Sequence, residues 1–309
     1  MKSFEVPENF YEQGFVIIRN VLSSNEIGDL RSFIQNKLAV HDNPRTLSPS
    51  NTYLYPELYL LPFQEKVVKS LKQILGEQLC YFPNLSIQHS TFGNPGWHTD
   101  AGAEGAAKYL TAPDYRVAKC GIYLQDNTRE YGGGILAIPK AHKFLFSTRY
   151  PKVDFLFKRI FDRLSMYFAF PRKPITLDSK AGDLIVFDSR LPHGSTVPWN
   201  ISSLNYNTSN GFLTGIPSQH TKIVIYWDAC HSKMKKDFMV NAKKRAHKEE
   251  KREELYFSDW LKNFFPDDFP EDFVAKAKDY EIEIASWDKN ECKEYNQIFE
   301  EKSSIVLRK

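Results

Sequence analysis

The sequence has few cysteines, no long apolar run and almost no net charge, and each shortage excludes a class of protein. Four cysteines stand far apart in 309 residues with no CxxC pair, which argues against a disulfide framework and a cysteine-based zinc site. No run approaches the roughly 18 to 20 apolar residues of a membrane span, and the first nine residues lack the apolar segment of a signal peptide. The 41 basic and 38 acidic side chains nearly cancel to a formal +3, so no global field favours a nucleic-acid or membrane partner. We expect a cytoplasmic protein with reduced thiols.

The first third of the chain has helical patterning around one short strand. The apolar run FVII at 15–18 predicts a strand. The sequence SSNE at 23–26 has the composition of a helix N-cap, and apolar residues at helical spacing continue to Val40. After an irregular stretch at 41–59, helical spacing returns at 63–75 and stops at Gly76. With 42% hydrophobic residues, the chain can bury a sizeable core.

The middle of the chain has the pattern of an all-β unit. Short apolar or alternating runs are separated by Gly, Pro, Asn and Asp, which is typical of a β-sandwich or barrel. We predict strands at 85–92, 119–124, 134–138, 175–177, 184–187 and 223–227. An aromatic and basic insertion at 144–170 is expected to form a helix over the sheet.

The end of the chain returns to helical patterning. A strongly charged segment at 233–254 predicts a solvated helix, and a last helix is predicted from Phe273 to about Ile282. We therefore expect one principal domain over 1–231, with a charged helical extension over 232–309 that packs on the same domain.

The segment GWHTD at 96–100 is the first candidate for a metal site. Side chains two residues apart in a strand point the same way, so His98 and Asp100 would aim an imidazole and a carboxylate at one point. His193 follows the predicted strand at 184–187 and supplies a third ligand. Two histidines and one carboxylate on one face of an ion form the facial triad of non-haem Fe(II) oxygenases.

An isolated HxD pair arises easily by chance in a chain with eight histidines. Two features strengthen this one: it follows a predicted strand and the turn GNPG at 93–96, and His193 stands at the end of another strand. The remaining histidines have no such paired context, and we interpret them as surface or capping residues: His41, His89, His142, His220, His231 and His247.

Four blocks together resemble the phytanoyl-CoA dioxygenase family. They are YEQGFVIIRNVLS at 11–23, WHTD at 97–100, NTREYGGGILAIPKAHK at 127–143 and AGDLIVFDSRLPHGS at 181–195. The resemblance extends over about two thirds of the chain. It implies a mainly β protein with flanking helices, built on a double-stranded β-helix, which is a jelly-roll or cupin-like core, and followed here by the helical C-terminal extension. It also implies an Fe(II)- and 2-oxoglutarate-dependent dioxygenase that consumes O2.

Carried over to this chain, the resemblance implies that His98, Asp100 and His193 bind iron and are the catalytic centre. It also implies an Arg about ten residues after His193 that holds the distal carboxylate of 2-oxoglutarate, following a small polar residue that Ser195 matches. No Arg or Lys occurs in 200–221, and the first cation afterwards is Lys222. An ammonium still pairs with a carboxylate, although it lacks the planar fork of a guanidinium.

Three other residues remain candidates for the cosubstrate site. Arg116 and Lys119 are the rival cations, since a cation facing inward across the barrel could reach the same carboxylate. Gln88, on the strand that precedes HTD, is a candidate hydrogen-bond donor to the cosubstrate.

The expected reaction is hydroxylation, or another oxidation, of a C–H bond in a small metabolite, with release of succinate and CO2. Halogenating relatives have a small residue in place of the carboxylate, and here Asp100 is present. Two alternatives stay open: a barrel that uses another metal in non-oxygenase chemistry, and an interaction protein that uses the basic run at 233–252. Nucleic acid is the less favoured partner, because acidic residues in the same segment can form ion pairs with its lysine and arginine side chains. The sequence does not indicate the oligomeric state.

Overall fold

The computed structural model describes residues 7–40, 45–82, 84–90, 96–101, 110, 112, 114–143, 173–198, 206–207, 212–213, 216–250 and 269–285. The helix predicted at 144–170 lies outside these ranges. Among the described residues, no helix is both long and apolar enough to cross a bilayer.

Five of the described α-helices lie before residue 76, and two lie after residue 234. They are α1 (Pro7–Gln13), α2 (Ser24–Leu38), α3 (Pro49–Thr52), α4 (Pro56–Tyr59), α5 (Glu65–Leu75), α6 (Lys235–Glu250) and α7 (Glu271–Asp279). Ser23 caps α2 in a capping box with Glu26, as the sequence predicted. The prediction of an irregular segment at 41–59 was wrong in part, because Pro49 and Pro56 each begin a short helix.

The strands divide between a large sheet, a small sheet and a two-stranded ribbon. They are β1 (Phe15–Ile18), β2 (Thr46–Leu47), β3 (Leu79–Tyr81), β4 (Ser86–Ser90), β5 (Val117–Tyr123), β6 (Ile135–Ala137), β7 (Ile175–Thr176), β8 (Leu184–Asp188), β9 (His193–Ser195), β10 (Tyr206–Asn207), β11 (Phe212–Leu213), β12 (Lys222–His231) and β13 (Glu283–Ile284). The large sheet has the order β1-β8-β5-β12-β3-β13, with β4 also paired to β12 and β2 to β4. The small sheet has the order β7-β6-β9, and β10 pairs with β11.

The central strand β12 separates two regions of the core. Ile223, Ile225 and Trp227 face the helices α2 and α5 and belong to the largest buried cluster. Val224, on the other face, packs with residues of both sheets, including Ile185 and Ala137. Because side chains alternate along a strand, Lys222, Tyr226 and Asp228 share the face of Val224 and point between the two sheets. The mainly β, double-stranded β-helix prediction is confirmed, and the face of β12 that carries Lys222 is turned to its interior.

Gly182 fits tightly into the turn before β8. Its φ of +83° is in the left-handed region, and an added Cβ would stand 2.8 Å from the carbonyl oxygen of Leu22. The Gly182 carbonyl also accepts hydrogen bonds from the backbone N–H groups of Val21 and Leu22, at 2.8 and 3.2 Å. The turn therefore fixes how the start of α2 meets the sheet.

We expect Gly182→Ala to lower the free energy of unfolding by about 1–3 kcal/mol, because alanine is strained at this φ and meets a backbone atom. Gly28 is the matched control: it lies in α2 with nothing within 4 Å of an added Cβ. Gly28→Ala should raise stability by roughly 0.5–1 kcal/mol. Urea unfolding measures both, and equal effects of the two substitutions would contradict this account of the turn.

Candidate metal centre

His98 and His193 are held side by side by the backbone. They form an isolated antiparallel bridge in which the N–H of His98 donates to the carbonyl of His193 at 3.0 Å, and the reverse bond is 2.9 Å long. Their ring centroids are 4.3 Å apart. His98, which lies between β4 and β5, is thereby placed next to His193, which opens β9, although 95 positions separate the two in the sequence.

Asp100 completes the cluster. The ligand atoms of His98, Asp100 and His193 all lie within 4.8 Å of one another. The two carboxylate oxygens of Asp100 are each 3.9 Å from one Nε2, one facing His98 and the other His193. Two ligand atoms that each lie about 2.1 Å from one metal ion are at most about 4.2 Å apart. Asp100 can therefore bind the same ion as His98, and the same ion as His193.

The hydrogen bonds of the two imidazoles suit metal binding. Nδ1 of His98 lies 2.9 Å from the carbonyl of Gly96, and Nδ1 of His193 lies 2.9 Å from the carbonyl of Leu191. A carbonyl oxygen can only accept, so each Nδ1–H donates, and Nε2 is the ring nitrogen on the side of Asp100 in both histidines. Burial lowers the pKa of His193 to about 4, although the carboxylate of Asp100 opposes that shift, so the ring is neutral near pH 7. Two imidazoles and a carboxylate are the donor set of Fe(II) oxygenases.

The barrel interior beside this cluster is apolar and aromatic. The ring of Phe187 lies 4.6 Å from that of His193. Tyr123 and Tyr226 lie close together across β5 and β12, with their hydroxyl oxygens 2.8 Å apart. Gly121 leaves room for this pair, since an added Cβ would be 2.9 Å from the ring of Tyr226.

Lys222 points into this interior from the first position of β12. It is only 2% exposed, and its ammonium lies 5.7 Å from the ring centroid of Tyr226 and 6.0 Å from that of Tyr123. Within the described part of the chain, no carboxylate pairs with this ammonium. Burial lowers the pKa of Lys222 to about 7. A buried cation without a counter-charge is costly, and an anion would relieve that cost.

Lys119 differs from Lys222 because its charge is already balanced. Its ammonium lies 3.2 Å from Oδ2 of Asp228, which also accepts a hydrogen bond from the side chain of Asn84. The backbone N–H of Asp228 in turn donates to Oδ1 of Asn84 at 3.0 Å. Burial raises the pKa of Asp228, and the charge of Lys119 opposes that rise. Lys119 thus belongs to a buried polar cluster.

The other three candidates lie in different parts of the structure. Arg116 donates to the carbonyl of Leu75 at 3.4 Å and lies 5.9 Å from the ring of Tyr11, so the structure places it against α1 and α5. Ser195 follows His193 by two residues in β9 and shares its face. Gln88 lies opposite Val224 in the pairing of β4 with β12, and therefore on the same face as Lys222.

Sequence reasoning missed the tyrosine pair and the Asp228 cluster. The alternation Lys222, Val224, Tyr226, Asp228 is visible in the sequence and could have placed three polar side chains on one face of a strand. No sequence pattern indicated the role of Asn84, because it lies outside any strand and its hydrogen-bond partner Asp228 is 144 positions away.

Comparisons with known proteins identify the family and the fold of the chain. The family model of phytanoyl-CoA dioxygenase (PhyH) matches residues 10–197, more than half of the chain. Among solved structures, the non-heme alpha ketoglutarate dependent epimerase SnoN from nogalamycin biosynthesis is 13% identical with a TM-score of 0.52, covering 74% of this chain and 82% of its own. No curated protein sequence matches the chain significantly.

Two further structures have the same fold. EctD from S. alaskensis, solved with bound Fe, is 16% identical with a TM-score of 0.51, covering 74% of this chain and 76% of its own. HygX from Streptomyces hygroscopicus, solved with nickel and 2-oxoglutarate, is 15% identical with a TM-score of 0.51, covering 75% of this chain and 88% of its own. At these identities the likeness shows the fold.

Fold and family match together define an oxygenase of the double-stranded β-helix class with an Fe(II) and 2-oxoglutarate requirement. The chain belongs to the phytanoyl-CoA dioxygenase family. It is an enzyme of the Fe(II)/2-oxoglutarate-dependent dioxygenase type.

Proposed function

We propose that the enzyme hydroxylates a C–H bond of a small-molecule metabolite, with His98, Asp100 and His193 as the ligands of its iron. The observation that carries this proposal is the convergence of these three side chains within 4.8 Å inside the barrel that the family match covers. When bound there, Fe(II) with 2-oxoglutarate supplies the oxidising chemistry with O2 and releases succinate and CO2.

Each ligand has a distinct task in this proposal. Asp100 supplies the negative charge and reaches toward both imidazoles, while the carbonyls of Gly96 and Leu191 orient the two rings. Phe187 and the tyrosine pair keep water away from the interior face. Asp100 also occupies the position that a halide would need, which supports hydroxylation over halogenation.

We further propose that Lys222 binds the distal carboxylate of 2-oxoglutarate. Its ammonium is buried in the interior and has no carboxylate partner among the described residues, whereas Lys119 is already paired with Asp228. Arg116 contacts α1 and α5 instead. Ser195 shares the face of His193 in the small sheet and Gln88 shares the face of Lys222 in the large sheet, where their polar side chains can complete the cosubstrate site.

The proposed domain organisation keeps the extension on the catalytic unit. Phe273 of α7 lies in the main core, with its ring centroid 5.1 Å from that of Phe63. Strand β13 pairs in parallel with β3 of the large sheet. These contacts support one domain over 1–231 with the segment 232–309 packed against it.

The substrate class is tested by 2-oxoglutarate turnover. Purified enzyme with Fe(II), ascorbate, O2 and 2-oxoglutarate should form succinate faster when the right small metabolite is added, together with a product that has gained one oxygen atom. Asp100→Ala provides the inactive control. Succinate formation that only a peptide or a nucleic acid stimulates would overturn the small-molecule proposal.

The affinity for 2-oxoglutarate should fall as the pH rises above 7. The pKa of Lys222 is about 7 in the free protein, and the ammonium must be protonated to pair with a carboxylate. Above that pKa, binding must take up a proton, so the dissociation constant should rise by about tenfold per pH unit until the higher pKa of the bound ammonium is reached. Calorimetric titration of the Mn(II)-loaded protein between about pH 6.5 and 8.5, which spans that pKa, measures this.

Lys222→Arg is the matched variant for that pH profile. A guanidinium stays charged across the range, so its profile should be flat. His193 does not contribute there because its pKa is about 4. A wild-type affinity that is independent of pH would contradict the role of Lys222.

A further inference from the structure

The backbone on both sides of Lys222 is held by side chains that lie outside the proposed cosubstrate site. Lysine has a long flexible side chain, so its ammonium is placed reproducibly only if its own Cα is fixed. Two residues provide contacts to the flanking peptide groups, Arg31 before Lys222 and Gln125 after it. Any part that these two residues play in cosubstrate binding rests on the proposed role of Lys222.

Arg31 reaches from α2 to the start of β12. Its guanidinium donates to three carbonyls: Leu124 at 2.8 Å, Ser218 at 2.5 Å and Thr221 at 3.3 Å. Burial lowers the pKa of this guanidinium. Thr221 directly precedes Lys222, and Leu124 donates its N–H to the carbonyl of Ile223 at 3.0 Å. The three carbonyls thus belong to Thr221, which precedes Lys222, and to two residues hydrogen-bonded to Thr221 and Ile223.

Gln125 holds the other side. Its Oε1 accepts the N–H of Ile223 at 2.8 Å, and its Nε2 donates to Asn127 at 3.0 Å. Asn127 in turn donates to the hydroxyl of Ser179 at 2.6 Å. These side chains are at most 3% exposed, so no water replaces the bonds. Buried and fully connected polar chains of this kind hold a single geometry.

We propose that Arg31 and Gln125 are positioning residues of the cosubstrate site. They fix the peptide groups before and after Lys222, and through them the point from which the ammonium reaches the distal carboxylate. Neither residue touches that ammonium in the structure. Their loss should therefore weaken recognition of the distal carboxylate and leave binding at the metal unchanged.

The test compares two 2-oxo acids on Mn(II)-loaded protein. 2-Oxoglutarate uses both the metal and Lys222, whereas 2-oxovalerate has no distal carboxylate and uses the metal alone. We expect Arg31→Met to weaken 2-oxoglutarate binding by about tenfold, since small displacements at a site cost this much or more. Its affinity for 2-oxovalerate and for Mn(II) should stay within about twofold of wild type.

Arg19→Met is the matched control. Arg19 also joins a segment beside α2 to the sheet, through Asp183 at 2.8 Å, but does not contact the residues that flank Lys222. It should bind both 2-oxo acids as wild type does. Gln125→Met is the second variant, used if Arg31→Met does not fold: it removes the acceptor for the N–H of Ile223 and adds no charge beside Lys222. It should show the same selective loss.

The outcomes separate this inference from the proposal on which it rests. If Lys222→Met does not weaken 2-oxoglutarate binding, the role of Lys222 itself is wrong. If Lys222→Met weakens it but Arg31→Met and Gln125→Met do not, only the positioning role is overturned. An equal loss for both 2-oxo acids would also overturn it, because that result means general damage to the fold.

Discussion

Replacing His193 by alanine is expected to abolish metal binding and turnover while the protein stays folded. His193 opens β9, and its Nε2 faces Asp100 at 3.9 Å, with the ring orientation set by the carbonyl of Leu191. Removing it leaves two ligands for an ion that requires three. We expect the affinity for Fe(II), or for Mn(II) as a stand-in, to fall by more than about 100-fold, since even the loss of an outer-shell partner typically costs 10–100-fold.

His231→Ala is the matched control for this substitution. His231 ends β12, where its Nδ1 accepts a hydrogen bond from the backbone N–H of Lys233 at 3.3 Å, far along the strand from Lys222. It should bind the metal as wild type does. Equilibrium dialysis under anaerobic conditions measures both variants. Retained affinity in a folded His193→Ala protein would show that the metal lies elsewhere.

Replacing Lys222 by methionine should have the second largest effect. It should weaken 2-oxoglutarate binding and at the same time raise the free energy of unfolding. Removing one partner of a buried charge pair typically costs about 2–5 kcal/mol, so we expect 2-oxoglutarate affinity to fall by roughly 30-fold to several thousand-fold. In the free protein, however, the ammonium is buried without a carboxylate partner among the described residues. Methionine removes that cost and should raise the free energy of unfolding by roughly 1 kcal/mol.

This combination distinguishes a binding residue from a structural one. Calorimetry of 2-oxoglutarate and urea unfolding give the two quantities. Lys119→Met is the comparison: it leaves the buried carboxylate of Asp228 without its ion pair, so it should lower stability. A large loss of 2-oxoglutarate affinity in Lys119→Met with none in Lys222→Met would transfer the proposed role to Lys119.

The interior strands could be predicted from the sequence better than their ends. The prediction of a strand at 223–227 was correct, but β12 is longer and runs from Lys222 to His231. It is longer because β5 pairs along one edge, while β4 and β3 pair in turn along the other. Polar residues at both ends are buried by that pairing. An apolar pattern cannot show this, since the pairing partners are 100 or more positions away in the sequence.

The convergence of His98, Asp100 and His193 could be predicted because the signals are local. HxD places two candidate ligands within three residues, and the motif around His193 resembles the family closely enough to indicate the third. The cosubstrate cation was ambiguous for a physical reason: the family's Arg is absent, and three cations compete. Only the structure shows that Asp228 balances Lys119, that Arg116 contacts Leu75 and that Lys222 lies buried among aromatic rings.

Anaerobic titration of the metal-free protein with Fe(II) and 2-oxoglutarate tests the central claim most directly. Chelation of the metal by the 2-oxo acid gives a weak visible charge-transfer band that neither component gives alone. We predict that wild type develops this band, that His193→Ala does not, and that Lys222→Met requires at least roughly 30-fold more 2-oxoglutarate. A well-folded wild-type protein that develops no band would contradict the assignment of this chain's centre as an Fe(II) and 2-oxoglutarate site.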